Sequence, residues 1–338
     1  MNDRLGFNTN APHIGEEDHH LLNQRERLSQ DVKQLISQQM SARSPLTLTI
    51  GGVTLGGAGK SQVVLHIAES ILKIGIERLY ILGHGYRAKD LDKTVRVVDD
   101  FNQKGAELYG DEAVMMKSRF GNSVTVLVGG EWSERYQVAY EMGAQVILCD
   151  GGLYTAKLRR HLNVTVSPRP CRHRLIPFGD LTRPIRFWAR GPQTWLWFVH
   201  SSPTLCVNME DVRLQRKYES ELLFTLSNIS HFEDYQGVKI DPLQLKGESC
   251  GIICAIARPQ RLISLITSLG IRVHQSITLR DHDLMSRQHI KRVKAEPRLR
   301  WITTEKDKMK FSPPPANLII AILHLECYST TLNPSKIT

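Results

Sequence analysis

The run Thr54-Leu55-Gly56-Gly57-Ala58-Gly59-Lys60-Ser61 combines the residue types that hold a nucleotide's phosphates. Glycines let successive backbone N–H groups face an anion without Cβ clashes. A following helix adds partial positive charge at its N-terminus. A lysine at position 60 can reach β- and γ-phosphate oxygens, and the Ser61 hydroxyl can ligate Mg²⁺. The usual spacing asks for glycine five residues before Gly59, where this chain has Thr54. Such a loop needs a carboxylate at the end of a neighbouring strand, and Asp150 closes the apolar run Val146–Cys149. Asp111 and Glu112 follow Gly110 at the expected start of a helix, where acidic side chains also suit the dipole.

The elements around these residues read as α/β. Leu46–Ile50 is a β-rich run before the loop, and a helical pattern runs from Ser61 to Ile74. Strands are predicted at Leu79–Leu82, Val124–Val128, Val146–Cys149 and Val164–Val166, with helices over Ala113–Arg119 and Arg135–Met142. Strands alternating with helices imply a mostly parallel sheet covered on both faces, a P-loop NTPase-like α/β/α arrangement. Beyond Pro192 come strand-like runs at Trp195–Val199 and Leu222–Leu226. A second α/β rhythm follows: strand Gly251–Ile256, helix Pro259–Leu269, strand Ile271–Val273, helix Met285–Lys294, and strands Trp301–Thr303 and Leu318–Leu323. The expected division is residues 1–45, polar with one amphipathic helix between Leu21 and Met40; 46–200, the nucleotide-binding domain; and 201–328, a smaller α/β domain.

With 338 residues, 41% hydrophobic and 23% charged, the composition is that of a globular protein. No apolar run approaches the ~18 residues of a membrane-spanning helix, and the first residues lack a secretory signal pattern, so a cytoplasmic location is expected. Of the six cysteines only Cys250 and Cys254 are close, without the second pair a metal site needs; buried free thiols are expected. The formal charge is +10, and nine Lys or Arg against one acid lie between Lys157 and Arg190. Such a block attracts phosphate-bearing partners. No nucleic-acid recognition module accompanies it, and none is expected as a partner.

Taken in order along roughly residues 46–325, the motifs resemble the tetraacyldisaccharide 4'-kinase family. TIGGVTLGGAGKS looks like its phosphate loop, including the missing glycine at Thr54. GHGYRAK (Gly83–Lys89), YGDEAVMM, VILCDGGL and RLIPFGDLTRP (Arg174–Pro184) resemble its next four segments, while IARPQRLISLITSLG (Ile256–Gly270), LRDHD (Leu279–Asp283) and TTEKDKMK (Thr303–Lys310) match three C-terminal ones. The resemblance implies transfer of the γ-phosphate of ATP, with Mg²⁺, to the 4'-hydroxyl of an acylated glucosamine disaccharide 1-phosphate, a lipid A precursor. Under it, Thr54, Leu55, Gly56, Gly57, Ala58, Gly59, Lys60 and Ser61 bind ATP. Asp111 takes the hydroxyl proton, His282 pairs with Asp111, and Ser61, Glu112 and Asp150 surround the metal.

The chain departs from the family pattern at three places. The second acid of the motif around Asp150 falls on Gly151, its closing Gln-His on Tyr154-Thr155, and an arginine after Val128-Gly129 on Trp132, with Arg135 one helical turn on. Each lost charge removes ~2–4 kcal/mol of transition-state stabilisation by analogy with other electrostatic groups. A relative that binds nucleotide or anionic lipid with little turnover is therefore the alternative, and restoring Asp at 151 would separate the two if the site is merely weakened. An unrelated P-loop GTPase would need a base-reading Asn-Lys-x-Asp motif, which Thr304-Glu305-Lys306-Asp307 only loosely approaches. A lipid substrate implies peripheral contact with the cytoplasmic face of the inner membrane. The expected contact is Thr182–Val199, which interleaves Arg183, Arg186 and Arg190 with Trp188, Trp195 and Trp197.

Overall fold

The structure, a computed structural model, describes residues 33–37, 44–54, 56–86, 88, 94–100, 103–155, 158, 160–169, 174–182, 184, 194–200 and 221–328. In chain order the elements are β1 (Leu46–Gly52), α1 (Lys60–Lys73), β2 (Leu79–Leu82), β3 (Arg96–Val97), α2 (Gln103–Tyr109), α3 (Asp111–Phe120), β4 (Val124–Val128), α4 (Trp132–Glu141), β5 (Val146–Asp150), β6 (Leu162–Arg169) and β7 (Thr194–His200). They continue with β8 (Glu221–Glu233), β9 (Lys239–Ile240), β10 (Ser249–Cys254), α5 (Pro259–Ser268), β11 (Arg272–Thr278), α6 (Arg287–Ala295), β12 (Arg300–Thr304), α7 (Glu305–Lys308) and β13 (Leu318–Tyr328).

The strands form one sheet in the order β11-β10-β12-β13-β8-β7-β6-β1-β5-β2-β4-β3, with β9 paired to β8. Pairing is parallel except at β13–β8, β3–β4 and β8–β9. Burial explains the parallel core: β1 from Leu46 to Gly51 and all of β5 are buried on both faces, so β5 reads as a continuous apolar run, while β1 alternates leucine with the buried Thr47 and Thr49. Helix α1 packs Val63, Val64, Ile67, Ala68 and Ile71 into the same core, which also takes in Ile36 from the helical residues 33–37 and Leu325 from β13.

Some elements extend past the expected limits for identifiable reasons. Helix α4 begins at Trp132 because Glu131 and Glu134 form a capping box there. Strand β11 reaches Thr278 because it pairs with β10 along that length, and β13 reaches Tyr328 alongside β8. Cys149, Cys250, Cys254 and Cys327 are buried free thiols, as expected.

One expectation is corrected. Trp195 and Trp197 are 1% and 0% exposed in β7, packed into the core with Val164 and Val166, so neither reaches a lipid headgroup. Strand β7 lies between β6 and β8, and all seven of its residues are buried. Arg183, Arg186, Trp188 and Arg190 lie outside the described residues.

Candidate active site

The glycine-rich loop leaves β1 at the point where that strand is flanked by β5 and β6. Gly56, Gly57 and Gly59 have φ of 65°, 59° and 90°, a run that side-chain-bearing residues adopt only under strain. Gly59 in the left-handed conformation caps α1 and turns the backbone directly into the helix carrying Lys60 and Ser61. Thr54 is buried, bridges to Leu181, and its hydroxyl lies 3.5 Å from the Gly56 carbonyl. Leu55 lies outside the described residues. Gly57 through Ser61 line a cavity together with Glu112, Arg258, Arg261, Asp281 and Lys306.

The oxygen-bearing Ser61 and Glu112 line this cavity, and Asp150 lies near enough to interact with Lys60 and Glu112. The Ser61 hydroxyl donates to Glu112 Oε1 at 3.0 Å. Asp150 pairs in register with Ile50, so the two strand ends bring it beside the start of the loop. It is 2% exposed, and its Oδ1 has no hydrogen-bond partner. Burial raises the Asp150 carboxyl to about 6, with Glu112 adding to the rise and Lys60 and Lys306 opposing it. A hydroxyl, a carboxylate and a second, buried carboxylate with an orphaned oxygen suit a hard dication. Among the described residues no group of three His, Cys, Asp or Glu forms a complete metal cage. Magnesium needs none, since it is held by one or two carboxylates plus phosphate oxygens and water.

Asp111 stands at the first turn of α3, behind Gly110, whose φ of 89° and approach to the Gly85 backbone (3.2 Å from a Cβ built there) leave no room for a side chain. His282 Nδ1 is 2.9 Å from Asp111 Oδ1, although 171 residues separate the two. His282 itself has φ 65°, the sole non-glycine residue with positive φ among those described, and its N–H is tied to the Ala255 carbonyl at 3.1 Å. Strain of that kind persists only where the surroundings impose it.

Two lysines complete the cluster. Lys306 Nζ donates to Asp281 Oδ1 at 2.8 Å and lies 3.4 Å from His282 Nε2 and 3.9 Å from Asp111 Oδ2. An ionised carboxylate only accepts, so Nδ1 donates to Asp111, while Nε2 also lies 3.6 Å from Asp281 Oδ2. Lys310, 1% exposed, bridges Asp307 at 2.8 Å and Asp111 Oδ2 at 3.1 Å. Burial works to raise Asp111, but the His282 hydrogen bond and the charges of Lys306 and Lys310 outweigh it and hold the carboxyl well below the ordinary range. The two lysines thus act together with His282 in stabilising the Asp111 carboxylate. The motif TTEKDKMK was legible, but Lys306 and Lys310 were given no role in it; Lys306 lies in α7 and Lys310 in the turn after it.

Asp111 also faces a second cavity, lined by Tyr86, Glu107, His282, Leu284 and Lys310. Tyr86 rests on His282 with ring centroids 4.8 Å apart. Arg119 holds α3 in place by pairing with Glu69 of α1 at 2.7 Å and bidentately with Glu305 of α7 at 2.8 and 2.9 Å.

Two of the positions that depart from the family pattern, Gly151 and Trp132, form a packed group with His84 and Arg135. Gly151 has φ 116°, and a Cβ there would meet His84 Cδ2 at 2.8 Å and Trp132 at 3.3 Å. Trp132 packs edge-on to His84, while the Arg135 guanidinium stacks over Trp132 at 4.1 Å and donates to the Gly83 carbonyl. Arg135 is thus committed to the backbone after β2. Asp at 151 would carry backbone strain of ~1–3 kcal/mol besides the clash. The single variant Gly151→Asp is expected to melt at a lower temperature and not to gain turnover. Faster phosphorylation by that variant would contradict this packing.

The family model described as Tetraacyldisaccharide-1-P 4'-kinase (LpxK) matches residues 22–334. A tetraacyldisaccharide 4'-kinase of Neisseria gonorrhoeae is 25% identical over 280 residues, covering 81% of this chain and 76% of that protein. One from Elusimicrobium minutum is 27% identical over 275 residues, covering 78% and 72%. The crystal structure of LpxK from Aquifex aeolicus in complex with ATP superposes with a TM-score of 0.59 at 18% identity, over 91% of this chain and 94% of that one. The likeness to that structure is one of fold, and the sequence match spans the loop, the Asp111 turn and the His282 segment alike. On these grounds the chain belongs to the tetraacyldisaccharide-1-P 4'-kinase family.

Proposed function

We propose that the protein transfers the γ-phosphate of ATP to the 4'-hydroxyl of a tetraacylated glucosamine disaccharide 1-phosphate, a step of lipid A synthesis. The observation that carries this reading is the Asp111–His282 pair at 2.9 Å, set between the glycine-loop cavity and the cavity beside Tyr86. Nucleotide phosphates enter from the first side, held by the loop and Lys60. The sugar hydroxyl enters from the second and donates to Asp111, which is ionised at neutral pH and so ready to accept. Phosphoryl transfer asks the protein mainly for alignment and charge neutralisation, which suits a carboxylate fixed on three sides. Ser61, Glu112 and Asp150 would hold Mg²⁺, which when bound neutralises charge on the phosphates.

The direct test is incubation of the purified chain with labelled ATP, Mg²⁺ and the tetraacyldisaccharide, beside Lys60→Ala. Label is expected in the lipid only with the unmodified protein. No label with either, or equal label with both, removes the assignment.

Among the described residues no helix is long and apolar enough to cross a membrane. We place peripheral contact with the cytoplasmic face of the inner membrane at the loop 174–182. Leu175, Ile176 and Phe178 there are 44%, 48% and 79% exposed. The loop is stitched to the nucleotide site through the Thr54–Leu181 bridge and a Thr182 N–H donated to the Val53 carbonyl at 2.9 Å. An acylated substrate extracted at that tip would lie beside the glycine loop. Leu175→Ser with Phe178→Ser is expected to reduce co-sedimentation with anionic vesicles about tenfold or more, given what burial of such side chains is worth. Undiminished binding would move the contact elsewhere.

A further inference from the structure

The segment after β10 presses directly on the glycine-rich loop. A Cβ at Gly56 would lie 3.0 Å from Ala257 Cβ, and one at Gly57 would lie 2.8 Å from Arg258 Cγ. Arg261, on the first turn of α5, donates from Nη1 to the Gly57 carbonyl at 3.1 Å and from Nη2 to the Val199 carbonyl at 3.4 Å. Both acceptors are neutral. Among the described residues neither Arg258 nor Arg261 forms an ion pair, and both line the cavity that holds Gly57–Ser61 and Lys306. Burial, and then the charge of Arg258, pull Arg261 down to about 10. Two neighbouring guanidinium groups without an ion pair among the described residues, one already bonded to the Gly57 and Val199 carbonyls, leave the Arg258 guanidinium beside the glycine-rich loop. Arg135 cannot serve there, because it is bound to Gly83.

We propose that Arg258 binds the β- and γ-phosphates of the nucleotide held by the glycine-rich loop, so that the segment following β10 completes the nucleotide site. This rests on the reading that the loop holds a nucleotide. A guanidinium offers paired donors to phosphate oxygens and keeps its charge throughout, and it costs least where the loop already brings it within van der Waals contact. The terminal phosphates, not the adenosine, are what this arginine recognises.

The test is equilibrium binding of ATP and of AMP to the full chain, for the unmodified protein, Arg258→Gln, Arg258→Lys and Lys60→Ala. Arg258→Gln is expected to weaken ATP about 10- to 100-fold, the usual effect of losing charge-assisted hydrogen bonds, and to leave AMP within about twofold. Arg258→Lys is expected to recover part of the loss, and the ligand-free unfolding midpoint of either variant to match the unmodified protein. ATP affinity unchanged by Arg258→Gln but lost in Lys60→Ala overturns this proposal alone. ATP and AMP weakened alike also overturn it, since that pattern describes a damaged fold. An unmodified chain that binds no ATP overturns the kinase reading along with it.

Discussion

Replacing Asp111 with Asn is expected to lower turnover by about 10²- to 10⁴-fold, the range for removing a general base, with ATP affinity nearly unchanged. The amide keeps the size of the carboxylate and can still meet His282 Nδ1, now 2.9 Å from Oδ1, so the alignment of α3 survives. What is lost is the acceptor for the hydroxyl proton. The fold is expected to tolerate the change because the two neighbouring lysines retain other acids, Asp281 for Lys306 at 2.8 Å and Asp307 for Lys310 at 2.8 Å. Asp111 is held well below the ordinary carboxylate range, so it is a weak base. That is tolerable where the transition state is loose and the nucleophile gives up its proton late. Single-turnover kinetics beside ATP titration check the separation. Turnover within about threefold of the unmodified protein would remove Asp111 from the chemistry.

Lys310→Met is expected to act first on stability. The ammonium is 1% exposed and lies between Asp307, 0% exposed, and Asp111, 6% exposed. Removing one partner of a buried charge pair typically costs ~3–5 kcal/mol, because the remaining charge is left in a medium that solvates it poorly. In a chain of this size that corresponds to a midpoint lower by roughly 10 °C. Asp307 would keep the Ala255 N–H at 2.9 Å and the Thr304 hydroxyl at 3.0 Å, which softens the loss without removing it. The sign of the pH dependence follows from Asp111. Its folded carboxyl is depressed, so its contribution is present above the unfolded value near 3.8 and is lost as the pH falls below it. The gap between unmodified protein and variant is therefore expected to hold from neutral pH down to the unfolded value near 3.8 and to narrow only below it, where protonation removes the uncompensated charge. Thermal melts at several pH values, with Lys310→Met/Asp307→Asn as a partial rescue, check this. A midpoint shift under about 2 °C at pH 7 would show that the lysine is not needed to balance the buried acids.

Much of the fold was legible because its cause is local. Positive φ at Gly56, Gly57 and Gly59 is something only glycine adopts without strain, so the loop announced itself by composition. The strand ending at Asp150 announced itself as a short apolar run, since a parallel strand buried on both faces needs no polar alternation, and the strand before the loop by its β-branched Thr47, Thr49 and Ile50. Aromatic residues were harder. Trp195 and Trp197 have the chemistry of a membrane interface and that of a core strand equally, and only the pairing of β7 with β6 and β8 chose the core. Leu175 and Phe178 are exposed instead, which no single-sequence pattern could report.

The sequence by itself determined the loop, the strand that ends at Asp150 and, through the motif order, the pairing of Asp111 with His282. Tertiary structure alone decided that two lysines join His282 at Asp111, and that Arg258 and Arg261 lie on the glycine loop. It also decided that Gly151 is enclosed by His84 and Trp132. The reason is range. Backbone preference and hydrophobic period act over a few residues and are written in them, whereas electrostatic partners depend on which strand ends the sheet brings together, here across a β13–β8 seam that no neighbouring residues encode.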